Sequence, residues 1–300
     1  MRISTAQLYN QGVTAMLDKQ ADLARTQQQL ATGQRILAPS DDPAAATQSM
    51  QLDQIIETTR QYQRNADFAE SKLSLEETIL VEVGNILQRV RELAVRANNG
   101  TLSAGDRSAI AAEVRSVQQD LVQLANTQDA NGEYLFAGFK VSTIPFDDDG
   151  AGNFTYNGDQ GQRALQIGAN RQVTIGDSGD QVFMRVDDGA GGTVSMFDVL
   201  YNFASDLEAN NPSTTTLTQL DSALDNVLTV RSSIGARMNS IENQRGANDA
   251  FSLLMEENRS TLTDLDYAEA VSRFERQMLA LQASQQSFIK IEGLSLFNYL

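Results

Sequence analysis

YAEAVSRFERQMLALQASQQSF, residues 267–288, is the stretch that decides the fold. Tyr267, Val271, Phe274, Met278, Leu281 and Phe288 follow steps of four and three, with Gln285 filling one apolar slot. That spacing predicts a heptad-patterned helix whose narrow apolar stripe has to be covered along its length. The opposite end of the chain carries a matching text, MLDKQADLARTQQQLATGQRIL at residues 16–37. There Met16, Leu23, Leu30 and Leu37 recur every seven residues, thickened by Leu17, Ala24 and Ala31. Two such stripes predict that the ends pair with each other and that neighbouring copies complete the pair. An assembly subunit is expected rather than an enzyme.

Inward from these ends the text stays helical. The N-terminal helix is expected from about Thr5 to Ala38, stopped by Pro39-Ser40-Asp41-Asp42-Pro43. Proline pushes the residue before it out of the helical region, so this segment reads as a domain joint at Pro39 and Pro43. Asp42 suits the N-cap of the next helix, with Pro43 at its first position. That helix should run to about Asn98, with Leu73, Leu80, Leu87 and Ala94 spaced by seven. Asn98-Asn99-Gly100 supplies its stop. Another helix follows Ser103, with Ile110, Val114, Val117, Leu121 and Leu124 in four-three spacing, and the period fades at Asn131-Gly132. From about Tyr134 to Met196 short apolar runs, such as 172–175 and 181–186, are punctuated by Gly and Asp, which predicts strands and turns. Helix returns near Asp198 and strongly from Leu217, with Leu220, Leu224, Val227, Ile234, Met238 and Ile241 on one stripe; a break falls near Thr263-Asp264. Leu73, Leu80, Leu87, Leu121, Leu224 and Ile234 are the expected rod core. The fold class is therefore mainly α with a β-rich insertion: an elongated rod of long coiled-coil helices carrying an outer β domain on its side.

Composition narrows the function classes. The chain has 300 residues and contains no Cys, no His and no Trp. Thiolate and imidazole nucleophiles, neutral-pH histidine bases and nearly all zinc, haem and iron–sulfur ligation are thereby excluded. A net charge of −16 argues against a nucleic-acid surface. The charge is uneven: nine Asp against three Arg between Val141 and Leu200, but four acidic against four basic residues in the first fifty. A solvated middle domain flanked by packing surfaces is expected. No apolar run approaches the ~18 residues of a membrane span, and the first residues show no signal-peptide core.

Three stretches mimic active sites. Gly176-Asp177-Ser178-Gly179 resembles a serine nucleophile loop, but without histidine the triad has no base, so a turn between strands is the expected reading. Asp147-Asp148-Asp149-Gly150-Ala151-Gly152 suggests a calcium loop, yet Ala151 and Gly158 fall where ligands five and twelve belong. The glycines at 189, 191 and 192 lack the Lys-Ser/Thr and helix of a phosphate cradle. No cofactor and no metal are expected.

Several ordered motifs resemble the bacterial flagellin superfamily. They are Arg2–Thr5, Leu30–Ile36 leading into Pro39–Ala45, Arg89–Val95 followed by Asn99–Thr101, Gly235–Asn239, Asp264–Ala268 and Gly293–Leu300. They span residues 1–140 and 205–300, while 141–204 matches nothing familiar. Pro39–Pro43 and the short length depart from ordinary flagellins and point to the branch at the hook–filament junction. The resemblance implies export, unfolded and uncleaved, through the flagellar type III apparatus to the extracellular flagellum. Residues 1–42 and 264–300 would form an inner tube domain, disordered in the free monomer. Residues 43–140 and 205–263 would form the helical rod, and 141–204 the outer domain. Met16, Leu23, Leu30, Leu37, Val271, Phe274, Met278, Leu281 and Phe288 would be subunit-interface residues. The implied partners are further copies of the chain, a proximal hook-associated protein, flagellin and an export chaperone on the C-terminal helix. A minor flagellin and a type III tip or translocator protein stay open, as does an adhesin or glycosidase with its activity in 141–204.

Overall fold

The computed structural model describes residues 5–150, 152–189 and 191–293. Arg2–Ser4 and Leu294–Leu300, which carry part of the resemblance, lie outside the described residues. In chain order the elements are α1 (Thr5–Thr32), α2 (Pro43–Ala97), α3 (Ala104–Ala125), β1 (Phe146–Asp148), β2 (Phe154–Tyr156), β3 (Ala164–Gly168) and β4 (Arg171–Thr174). Then come α4 (Gly179–Phe183), β5 (Val186–Asp187), β6 (Thr193–Val194), α5 (Met196–Glu208), α6 (Thr215–Thr263) and α7 (Tyr267–Gly293). Two compact units result: Met1–Thr58 with Phe251–Leu300, and Thr59–Ala250. The division falls inside α2 and α6 rather than at the proline segment.

The second unit holds the main core. On α2, Leu73, Leu80, Val83, Leu87 and Val90 are fully buried, as are Val114 and Leu121 on α3 and Leu220 and Ile234 on α6. Leu224 packs against this core but is half-buried, one position beside the buried Ala223. Glu77 pairs with Arg231 at 2.7 Å, Glu70 with Arg245 at 2.6 Å and Arg91 with Asp221 at 2.6 Å, so α2 and α6 run antiparallel here. These half-exposed pairs set register more than stability. Ser103 and Asp106 close a capping box on α3, and Ser195 caps α5 through the Asp198 N–H at 2.9 Å.

The insertion differs from expectation in three ways. Residues 181–186 are not one strand: α4 takes up Gly179–Phe183, and only Val186 begins β5. Gly176–Gly179 is not a turn between strands; it leads from β4 into α4. Nor is the insertion a separate solvated domain. Among the described residues its strands form three two-stranded antiparallel hairpins, too short to bury a core of their own. They lend their aromatics to the helices instead. Phe146 lies 5.0 Å from Phe197 of α5, 5.2 Å from Tyr156 and 5.3 Å from Phe183, ring centre to ring centre. Burying a phenylalanine contributes about 1.5–3 kcal/mol, so this cluster is a principal stabiliser of the unit. The 204/205 boundary consequently cuts through α5, which packs on α3.

Candidate assembly surface

α1 and α7 pack antiparallel within the first unit. Near one end Tyr9 meets Phe288, ring centroids 5.2 Å apart, and a Cβ on Gly12 would stand 2.9 Å from the Phe288 ring. Near the other, Gln34 bridges Asp264. The Arg35 N–H donates to the Thr263 carbonyl at 2.8 Å, and the Leu265 N–H donates to the Gly33 carbonyl at 2.9 Å.

That bridge explains why α1 stops at Thr32 and not at Ala38. Gly33 takes a left-handed conformation, φ +71°, with the Tyr267 hydroxyl 2.8 Å from where a Cβ would be. Glycine adopts this without steric cost and ends the helix. Leu37, expected on the helix stripe, therefore lies in the irregular segment that follows and is half-buried there. Polar contacts hold the segment. The Gln29 side-chain amide donates to the Arg35 carbonyl at 2.6 Å, and Arg35 donates to the Leu262 carbonyl at 2.7 Å. Asp41 accepts the N–H groups of Leu37 at 3.0 Å and Ala38 at 3.1 Å, and pairs with Arg25 at 2.6 Å. The Ala38 and Leu37 N–H groups, then Arg25, lower its pKa below the ordinary carboxylate value. Asp42 caps α2 by accepting the Ala45 N–H at 3.0 Å, with Pro43 at the first helical position. Pro39 and Pro43 are exposed. Sequence reasoning missed Gln29 and Arg35, whose partners lie in irregular backbone or across the chain.

None of the nine stripe residues is buried. Met16, Leu23, Leu30, Phe274, Leu281 and Phe288 are half-buried, while Val271 and Met278 are 45% and 42% exposed. Leu17, Leu279 and Ile289 are more exposed still, at 58%, 69% and 66%. Pairing of two helices covers one side of each stripe and leaves an apolar flank on both.

Two of the stretches that mimic active sites make hydrogen bonds within the insertion. The Ser178 hydroxyl donates to the Asp159 carbonyl at 3.1 Å and stands 3.3 Å from the Tyr156 hydroxyl. Asp148 and Asp149 accept N–H groups of their own turn, from Gly150 at 2.8 Å and Asn153 at 3.1 Å. Among the described residues no group of three acidic, His or Cys side chains could hold a metal ion.

Paired terminal helices with an apolar flank left uncovered are the surface that an assembly subunit presents. Residues 3–141 match the bacterial flagellin N-terminal helical region, and residues 217–300 match the bacterial flagellin C-terminal helical region. The chain is 34% identical to flagellar hook-associated protein 3 of Escherichia coli K12, over 99% of both chains. Its fold is similar to that of hook-associated protein 3 from Legionella pneumophila, with a TM-score of 0.67 at 24% identity, covering 71% of this chain and 98% of that one. A structure described as the flagellar junction protein from the same organism matches with a TM-score of 0.63 at 24% identity, over 72% and 99%. The chain belongs to the bacterial flagellin family.

Proposed function

We propose that the chain is a structural subunit of the bacterial flagellum, forming the adaptor ring at the hook–filament junction on which flagellin polymerises. The observation that carries this is the half-covered stripe on α1 and α7, in a chain similar to hook-associated protein 3 from end to end. Met16, Leu23, Leu30, Val271, Phe274, Met278, Leu281 and Phe288 pack against the same helices of neighbouring copies, with Leu37 at the margin. Residues 1–42 and 264–300 act as the inner tube, 43–140 and 205–263 as the rod, and 141–204, apart from the part of α5 that packs on the rod, as the outer part. Pro39–Pro43 is the joint between tube and rod. The proximal hook-associated protein lies on one side of the ring and flagellin on the other, and an export chaperone covers α7 before assembly. Export leaves the protein outside the cell. The chain turns nothing over, and it neither binds nucleic acid nor inserts in a membrane. Its net charge of −16 supports the former. For the latter, no helix among the described residues is long and apolar enough to cross a bilayer.

A strain lacking the gene tests this directly. Complete hooks without filaments, with flagellin shed into the medium, are expected. Normally attached filaments would refute the junction role, and attached but shortened filaments would identify a minor filament subunit instead.

A further inference from the structure

Two turn-adjacent side chains on α2, Lys72 and Glu76, are buried where the insertion meets the helices, at 6% and 2% exposure. Lys72 sits in a balanced cluster. It pairs closely with Asp129 and at 3.2 Å with Glu133, and Arg163 joins Glu133 at 2.9 Å. Burial alone would raise the Asp129 carboxyl, but the Lys72 ammonium and the Glu133 and Asn131 N–H groups outweigh it and hold it at about 2. Two acids face two bases there.

The Glu76 cluster is not balanced. One Glu76 oxygen accepts the Asp177 N–H at 3.1 Å, and the other is buried with no partner among the described residues. Asp177 forms a close ion pair with Arg237 of α6 and accepts from the Gln162 amide at 3.1 Å. Arg231, the neighbouring arginine on α6, is held by Glu77 at 2.7 Å. Arg237 is thus paired with Asp177 and acts on Glu76 only as a nearby charge. The void on the Asp177 side, lined by Lys72, Arg163, Gly176 and Asp177, measures about 20 Å³ and is not lined by Glu76. Glu76 itself is 2% exposed, and its second oxygen has no partner among the described residues to stabilise a charge. An ionised carboxylate without a partner is costly in such a place, while the neutral acid keeps its bond to Asp177. Burial first, then the Asp177 charge, raise the Glu76 pKa to about 8 against the pull of Arg237.

We propose that Glu76 is a proton-operated latch on the insertion: neutral, it seats the 175–179 connection between α2 and α6, and on releasing its proton to solvent it frees that connection. A chain with no His and no Cys makes the effect legible, because apart from the amino terminus no other side chain ordinarily titrates near neutrality.

The sign follows from linkage. The folded state keeps a proton that the unfolded state has already lost, so stability is greatest below the ordinary glutamate value. It falls as pH rises toward about 8 and levels off above. In unfolding measurements on the full chain at fixed ionic strength, the folding equilibrium constant should fall by up to about tenfold per pH unit between roughly pH 6 and 8. Glu76→Gln keeps the shape and the acceptor but has no proton to lose, and it should flatten the profile. Amide exchange at Asp177 and Gly179, corrected for intrinsic rates, should accelerate over the same window in the wild type alone. A flat wild-type profile, or the same slope in Glu76→Gln, overturns the proposal. Should that variant not fold, carboxyl-carbon NMR titration of wild-type Glu76 decides alone. A midpoint above 7 supports the latch, and one near the ordinary ~4.3 rejects it.

Discussion

Leu87 and Leu281 occupy the same kind of heptad position, yet their surroundings differ. Leu87 on α2 is fully buried in a core to which α3, α5 and α6 also contribute, whereas Leu281 lies on α7, which packs on α1, and stays half-buried. The second unit surrounds its apolar stripes with several helices and the insertion's aromatics. In the first, α1 and α7 pack on each other and their stripes stay half-covered. Identical local patterns thus become a fold core in one region and an unfinished surface in the other, according to how many neighbours the single chain supplies.

Substitutions can break or sharpen that contrast. Leu87→Ala should remove about 2–5 kcal/mol of stability, and Phe197→Ala about 3–5, because both leave cavities in a closed core. Thermal melting of the free chain reads this out, and a loss below about 1 kcal/mol at both positions would erase the distinction. Gly33→Ala forces a left-handed alanine against the Tyr267 hydroxyl and should cost about 1–2 kcal/mol locally. It would appear as faster exchange of the Leu265 amide while the Leu87 region keeps its protection. Leu281→Ala should shift free-chain melting by less than about 1 kcal/mol, since water already reaches the side chain. Its loss should fall on assembly, where each 1.4 kcal/mol is about tenfold in affinity. If Leu281→Ala melts the verified monomer as severely as Leu87→Ala, the terminal pair is an ordinary core. The smallest change in the free chain belongs to Pro39→Ala with Pro43→Ala, two exposed positions, expected within about 1 kcal/mol. There the informative measurement is filament retention under high viscous load, and full retention would remove the mechanical role of the joint.

The sequence by itself determined the long helices, their stripes, the cap at Asp42 and the kinship, because heptad spacing and capping chemistry are local and each is complete within a few turns of chain. Tertiary structure decided what depends on distant residues. α1 ends at Thr32 because Gly33 meets Leu265 and Tyr267 from the other end of the chain. The insertion has no core of its own because Phe146 and Phe183 find Phe197 on α5. Glu76 reads in the sequence as one more polar position on a long helix. Only folding sets Asp177 and Arg237 beside it, and the energy of a buried charge is fixed by what surrounds it in space.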